Sequence, residues 1–227
     1  MAAKRKSIEP VAAATHTAER ILAAAEALFA EHGFDAVSIN AIAEHAEVSK
    51  ANVFHHFTSK NELYIAVLRH ACRQSADLLS VLGHEDAPIA TRLAEFARAH
   101  LQYMFERKSV SRLIARELLQ ANPRRARELA QQVFGDNFAR LVEAIRVAQR
   151  HGELRAELDP AAIAVLILGA NVFFFNNEHV LRHFPDVGFA DDAALYSAHM
   201  VEIVLHGVLA PNKKSPAGRT SGKIIRN

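Results

Sequence analysis

Apolar residues recur every three to four positions along almost the whole chain, with polar residues between them. This spacing predicts amphipathic helices. The first periodic run places Ile21, Ala25, Leu28 and Phe29 on one face. Strand signals are nearly absent: there are no alternating Val/Ile/Tyr runs and no Asn-Gly or Asp-Gly hairpins. Helix punctuation is abundant. Asn122-Pro123 and Asp159-Pro160 each set a capping residue before a proline at the first helical position. Gly33 and Gly152 each follow a histidine where a periodic run stops. The pattern predicts an all-α chain of nine helices over residues 17–32, 39–46, 50–56, 60–82, 88–107, 109–121, 123–151, 160–183 and 191–209. The first three are short to medium and close together, and the later ones are long. A compact helix-turn-helix module over 17–62 is therefore expected before a larger helical domain over 63–210.

In the front module Ser38 can cap the second helix, which turns Ile39, Ile42 and Ala43 inward. Ala46-Glu47-Val48-Ser49 is a tight connection, with Val48 plugging the core and Ser49 capping the third helix. Val53 and Phe57 lie four apart and face inward. Lys50, Asn52, His55 and part of His56 are left outside. Two short helices joined by a tight turn, the second with a polar outer face, form a helix-turn-helix, whose second helix lies in the DNA major groove. Lys50 can donate to guanine or phosphate, Asn52 can pair twice with an adenine edge, and Ala51 permits close approach. Ser59 and Glu62 fit a capping box, with Lys60 placed where a helix N-terminus favours an anion. Taken alone, the same residues would also make an ordinary solvated face.

The stretch "AERILAAAEALFAEHGFDAVSINAIAEHAEVSKANVFHHFTSKNELYIAVL", residues 18 to 68, resembles the DNA-binding domain of the tetracycline-repressor (TetR) family. The match runs through the first apolar face, the Gly33-Phe34 turn, Ile42-Ala43, Val48-Ser49, His56-Phe57 and Ser59-Lys60. The resemblance implies a helical homodimer in which a ligand in the larger domain changes affinity for double-stranded DNA. By position, Lys50, Ala51 and Asn52 would address bases of a palindromic operator. Ser38, His55, His56 and Lys60 would lie on or near phosphates, and Asn40, Ser49 and Phe54 complete the expected interface. Phe54 stands where the family often has Tyr, Glu47 where it often has Gly, and Asn40 where some members carry a basic residue.

In the larger domain "AAIAVLILGANVFFF" is apolar all round and needs cover on every side. The helices over 160–183 and 191–209 are expected to pair with their copies in a homodimer through Ile167, Gly169, Ala170, Leu195, Ala198 and Ile203. A small, mostly apolar effector is expected among inward polar and aromatic groups: His100, Tyr103, Met104 and Phe105 on one helix, Arg116 and Glu117 on the next. Phe134, Phe138, Asn171, Phe174 and Phe175 complete the pool.

Charge sharpens this reading. The formal net charge is only +2. Residues 1–16 carry net +2 and residues 211–227 carry +5, leaving −5 between them. Both ends read as disordered basic segments, and DNA binding must use a local surface. The single cysteine, Cys72, forbids an internal disulfide and fits a reducing, cytoplasmic setting. No secretory signal is read at the start. The run Ala161–Phe175 is interrupted by Asn171 and reads as too short for a membrane span. There is no Gly-rich phosphate loop, nucleophile elbow or paired-carboxylate motif, so no enzyme activity and no cofactor are expected. His179 and His183 share metal-ligand spacing, but a solvated helix end is the simpler reading, and no metal is expected. A helical enzyme, a ligand-binding dimer without DNA binding, and a co-repressor-dependent regulator stay open as alternatives.

Overall fold

The computed structural model describes residues 9–83, 86–120 and 123–208, with side chains from residue 16 onward. The chain is all-α over these residues. α1 (Glu9–Ala36), α2 (Ile39–His45) and α3 (Lys50–His56) precede α4 (Lys60–Gln74) and a 3-10 segment (Ser75–Gly83). The larger part comprises α5 (Ile89–Glu106), α6 (Lys108–Gln120), α7 (Pro123–Leu129), a π turn (Ala130–Phe134) and α8 (Gly135–Arg150). α9 (Pro160–Leu181) and α10 (Ala193–Val208) close the fold. The basic arm expected over 1–16 is helical from Glu9, and its first eight residues lie outside the described residues. The tail expected over 211–227 lies outside them altogether.

Local chemistry sets most boundaries. Ser38, Ser49 and Ser59 each accept a backbone N–H from two to three residues into their helices, at 3.1 Å in every case. Asp159 caps α9 by accepting from Ala161 at 2.7 Å, with Pro160 following it. Such caps contribute about 1 kcal/mol each. α1 breaks at Gly33, whose φ of 83° suits a residue without a Cβ.

Two expected helices are divided. Residues 60–82 do not form one helix, because α4 gives way to the 3-10 segment at Ser75. There the Ser75 and Ser80 hydroxyls donate to the Cys72 and Asp77 carbonyls, at 2.7 and 2.6 Å, and so compete with backbone pairing. Residues 123–151 are interrupted by the π turn. A Cβ at Gly135 would sit 2.7 Å from the Ala130 carbonyl oxygen, so this widened turn requires glycine there.

The front module does not close on itself. Its core of Ile21, Ala25, Phe29, Ile42, Val53 and Tyr64 continues into Leu113 of α6 and Leu129 of α7. A second core joins α5, α8, α9 and α10 through Leu93, Phe96, Leu141, Ile145, Ile163 and Val204. A third cluster stacks Phe174 on Tyr196, 4.0 Å apart and nearly parallel, beside Phe175 and Met104. α9 runs on past the apolar stretch to Leu181, and at 22 residues it has the length and apolarity of a membrane span. In this fold one side of it packs against α5, α8 and α10, while Val165, Leu166 and Phe173 on the other are exposed.

Candidate nucleic-acid interface and effector cavity

The turn between α2 and α3 departs from ordinary geometry. Glu47 adopts φ 52°, the left-handed region that glycine enters freely. Arg20 of α1 supports it: its guanidinium donates to the Ala46 carbonyl at 2.5 Å and lies 3.4 Å from the Glu47 carboxylate. The acid is thus turned toward a cation of its own chain. The turn places Lys50, Ala51 and Asn52 in the exposed first turn of α3, with Val53 and Phe57 buried beneath. Ser38, Asn40, Ser49 and His55 are exposed on the same module, and His56 is half-buried with its ring 5.2 Å from that of His55. Phe54 is 44% exposed although apolar, which leaves it free to meet a surface outside the chain.

At the start of α4 the capping box forms with a shift. The Glu62 carboxylate reaches past Ser59 to accept from the Thr58 backbone N–H at 2.7 Å and from its hydroxyl. Those two hydrogen bonds hold the Glu62 carboxyl below the usual carboxylate range. The Lys60 ammonium donates to the Asp35 carbonyl at 3.3 Å and lies 4.4 Å over the Phe34 ring. Two of its three donors are left for an anion.

A cavity of about 320 Å³ opens between α4, α5, α6, α8 and α9. His100, Tyr103, Met104, Phe134 and Phe138, all expected for the effector, line it. Ser75, Ser111 and Asn137 also line it, beyond the residues expected; Ser75 and Asn137 reach the wall where the end of α4 meets α8, both donating to the Cys72 carbonyl. No Lys, Arg, Asp or Glu is among the lining residues. Cys72 borders it as well, and burial pushes the thiol up to about 12.

Five of the expected effector residues lie elsewhere. Phe105, Phe174 and Phe175 belong to the third core cluster. Arg116 and Glu117 sit on the opposite side of α6 and grip the front module. Glu117 accepts from the Tyr64 hydroxyl at 2.8 Å and pairs with Arg125 at 3.5 Å, while the Arg116 guanidinium covers Gly33. Asn171 stands behind His100, fully buried, and reaches the cavity only through that ring. α6 therefore carries cavity residues on one face and front-module contacts on another.

The expected partner surface is also redrawn. Leu195, Ala198, Ile203 and Gly169 are exposed, with Ile203 75% so. Ile167 is buried in its own core, and Ala170 is half-buried with its carbonyl accepting from Tyr196. The large apolar side chains exposed on α9 are Val165, Leu166, Phe173 and Val180. Among the described residues no three His, Cys, Asp or Glu side chains are grouped to hold a metal ion.

A supported helix-turn-helix continuous with a helical domain that encloses an apolar cavity defines a two-part, ligand-cavity DNA-binding fold. The chain belongs to the TetR family of bacterial regulatory proteins. The family's N-terminal pattern matches residues 21–67, and the tetracycline-repressor-like C-terminal domain matches residues 90–204. The chain is 37% identical over 103 residues to the HTH-type transcriptional regulator RutR of Escherichia coli, a match covering 45% of this chain and 48% of RutR. It thus spans about half the length of that relative. It is 26% identical over 205 residues to the HTH-type transcriptional repressor BepR of Brucella suis, covering 88% and 95% of the two chains. The solved structure of a transcriptional regulator from Streptomyces coelicolor superposes with a TM-score of 0.63 at 26% identity, covering 86% of this chain and 99% of that one.

Proposed function

We propose that the chain is a transcriptional repressor whose homodimer holds a near-palindromic operator in double-stranded DNA and releases it when a small, mostly apolar molecule enters the cavity. One observation carries this reading: α6 lines the cavity with Ser111, Ile114, Ala115 and Leu118, while its Arg116 lies over Gly33 of the DNA-binding module and its Glu117 accepts from Tyr64 of α4, the helix packed on α1. The names of the relatives RutR and BepR, a regulator and a repressor of transcription, support it. A ligand that shifts α6 changes the spacing of the two modules of a dimer. By linkage, ligand and DNA then weaken each other by the same factor, about 5- to 150-fold for a coupling of about 1–3 kcal/mol. The dimer would form across the exposed apolar faces of α9 and α10, and the protein would act on cytoplasmic DNA.

Selection of binding sites from random DNA tests the reading directly and should return two inverted half-sites about one or more helical turns apart. With the selected site, Asn52→Ala is expected to cost about 1–3 kcal/mol and to relax preference at one base position per half-site. Uniform weakening on every sequence would remove Asn52 from base readout. Lys60→Ala is expected to weaken all sequences alike and to lower the slope of log affinity against log salt by about one. An unchanged slope would show that the Lys60 ammonium meets no phosphate.

A further inference from the structure

We propose that the cavity is built for an uncharged aromatic molecule that presents a hydrogen-bond acceptor, a ketone or similar carbonyl, to the Nε2–H of His100. This rests on the reading of the cavity as the effector site.

The hydrogen bonds behind His100 fix its tautomer. The Ala97 carbonyl oxygen can only accept, and Asn171 Nδ2 lies 2.8 Å from it. The amide nitrogen, not the oxygen, must therefore face Ala97. The same nitrogen lies 3.1 Å from His100 Nδ1. Its second hydrogen needs a lone pair there, so Nδ1 accepts and the ring proton sits on Nε2. Protonating Nδ1 would set two donors against each other. Burial acts in the same direction and pushes the His100 pKa down to about 4. His100 is thus a neutral donor across the physiological range.

That donor is uncommitted, as is the Ser111 hydroxyl, which also lines the cavity and can donate or accept. His100 lines the cavity, its ring is stacked 5.9 Å from Phe96, and no described protein group takes up Nε2. The Tyr103 hydroxyl donates to the Ala71 carbonyl, and both the Ser75 hydroxyl and the Asn137 amide donate to that of Cys72. These three offer a ligand acceptor oxygens, which suit a phenolic hydroxyl. No charged side chain lines the space, so a carboxylate, phosphate or ammonium would be buried without a counter-ion, at heavy cost. Asn171 supports a functional reading. It is fully buried, and its Oδ1 has no partner, an expense a leucine of similar size would avoid. What the amide gains for the chain is the orientation of His100.

The test uses the full-length protein and four matched probes at pH 6, where both phenols are neutral and the other two probes are charged, with binding read by titration calorimetry. The probes are 4-hydroxybenzophenone, 4-benzylphenol (its carbonyl replaced by methylene), 4-benzoylbenzoate, and a benzophenone bearing an aminomethyl group. 4-Hydroxybenzophenone is expected to bind about tenfold more tightly than 4-benzylphenol and at least as far ahead of both charged probes. His100→Phe should bring the ketone-to-methylene ratio near one while leaving 4-benzylphenol binding in place. Asn171→Leu should lower the same ratio, because Asn171 is a positioning residue that acts through His100. The ratio should not change between pH 5.5 and 6.5, where both phenols are un-ionised and His100 is neutral. Equal or tighter binding of a charged probe overturns the proposal. So does a ratio that His100→Phe leaves intact, or a failure of all four probes to bind. If the ketone binds as expected while operator affinity stays constant, this assignment stands and the release of DNA by the cavity ligand does not.

Discussion

Replacing both Leu166 and Ile203 by glutamate is expected to leave a folded monomer of 25.0 kDa that no longer holds the operator. The two side chains are 54% and 75% exposed, so within one chain the change costs little. At a two-fold interface each substitution appears twice, and each carboxylate is taken from water without a partner. The loss should therefore fall on association rather than on folding. Joint grip on two half-sites contributes about 10²- to 10⁴-fold in apparent affinity when two modules are linked, and a monomer forfeits it. Light scattering, circular dichroism and operator titration together check the expectation. A variant that still runs at about twice 25.0 kDa would move the dimer surface away from α9 and α10.

Tyr64→Ala is expected to cost about 3–5 kcal/mol of folding stability, the usual range for emptying a large aromatic site. Tyr64 has no exposed surface, and Phe29 and Phe34 each meet its ring at 4.9 Å. The Arg125 guanidinium lies 5.4 Å over the ring, and its hydroxyl donates to Glu117. Tyr64→Phe separates packing from coupling. The ring remains and Glu117 keeps Arg125, so stability should fall by only about 1 kcal/mol. The effect of a cavity ligand on operator affinity should shrink by more than that loss of stability would explain. Denaturant midpoints measure the first effect, and operator titration with and without ligand measures the second. A Tyr64→Ala variant less than about 1 kcal/mol below wild type would show that the core relaxes around the gap.

The helix starts were legible in the sequence because a cap is a local event: Ser38, Ser49, Ser59 and Asp159 each satisfy a donor within three residues. The breaks at Ser75 and Gly135 were not, since one depends on hydroxyls choosing the backbone and the other on a carbonyl five residues away. The exposed face of α3 followed from period alone. The two faces of α6 were also within reach: Ser111, Ile114, Ala115 and Leu118 share one helical stripe, and Arg116 and Glu117 fall off it. On α9 no pattern could have separated buried Ile167 from exposed Leu166, because neighbouring positions are all apolar and only tertiary packing distinguishes them. Asn137 and Ser75 entered the cavity wall through the meeting of α8 with the end of α4, a contact between residues 65 apart in the chain.

α9 also constrains how such a chain can change over generations. Leu168 and Val172 face the cavity, Ile163 and Ile167 the core, and Val165, Leu166 and Phe173 the outer surface. Under the proposed dimer the helix keeps no idle side, so almost any substitution on it disturbs recognition, folding or assembly. A lineage acquiring a new effector would find its room elsewhere, at Ser75, Ser111 and Asn137. Under that same proposed dimer these cavity residues lie on elements other than α9 and α10, where specificity can drift while the pairing of subunits is inherited intact.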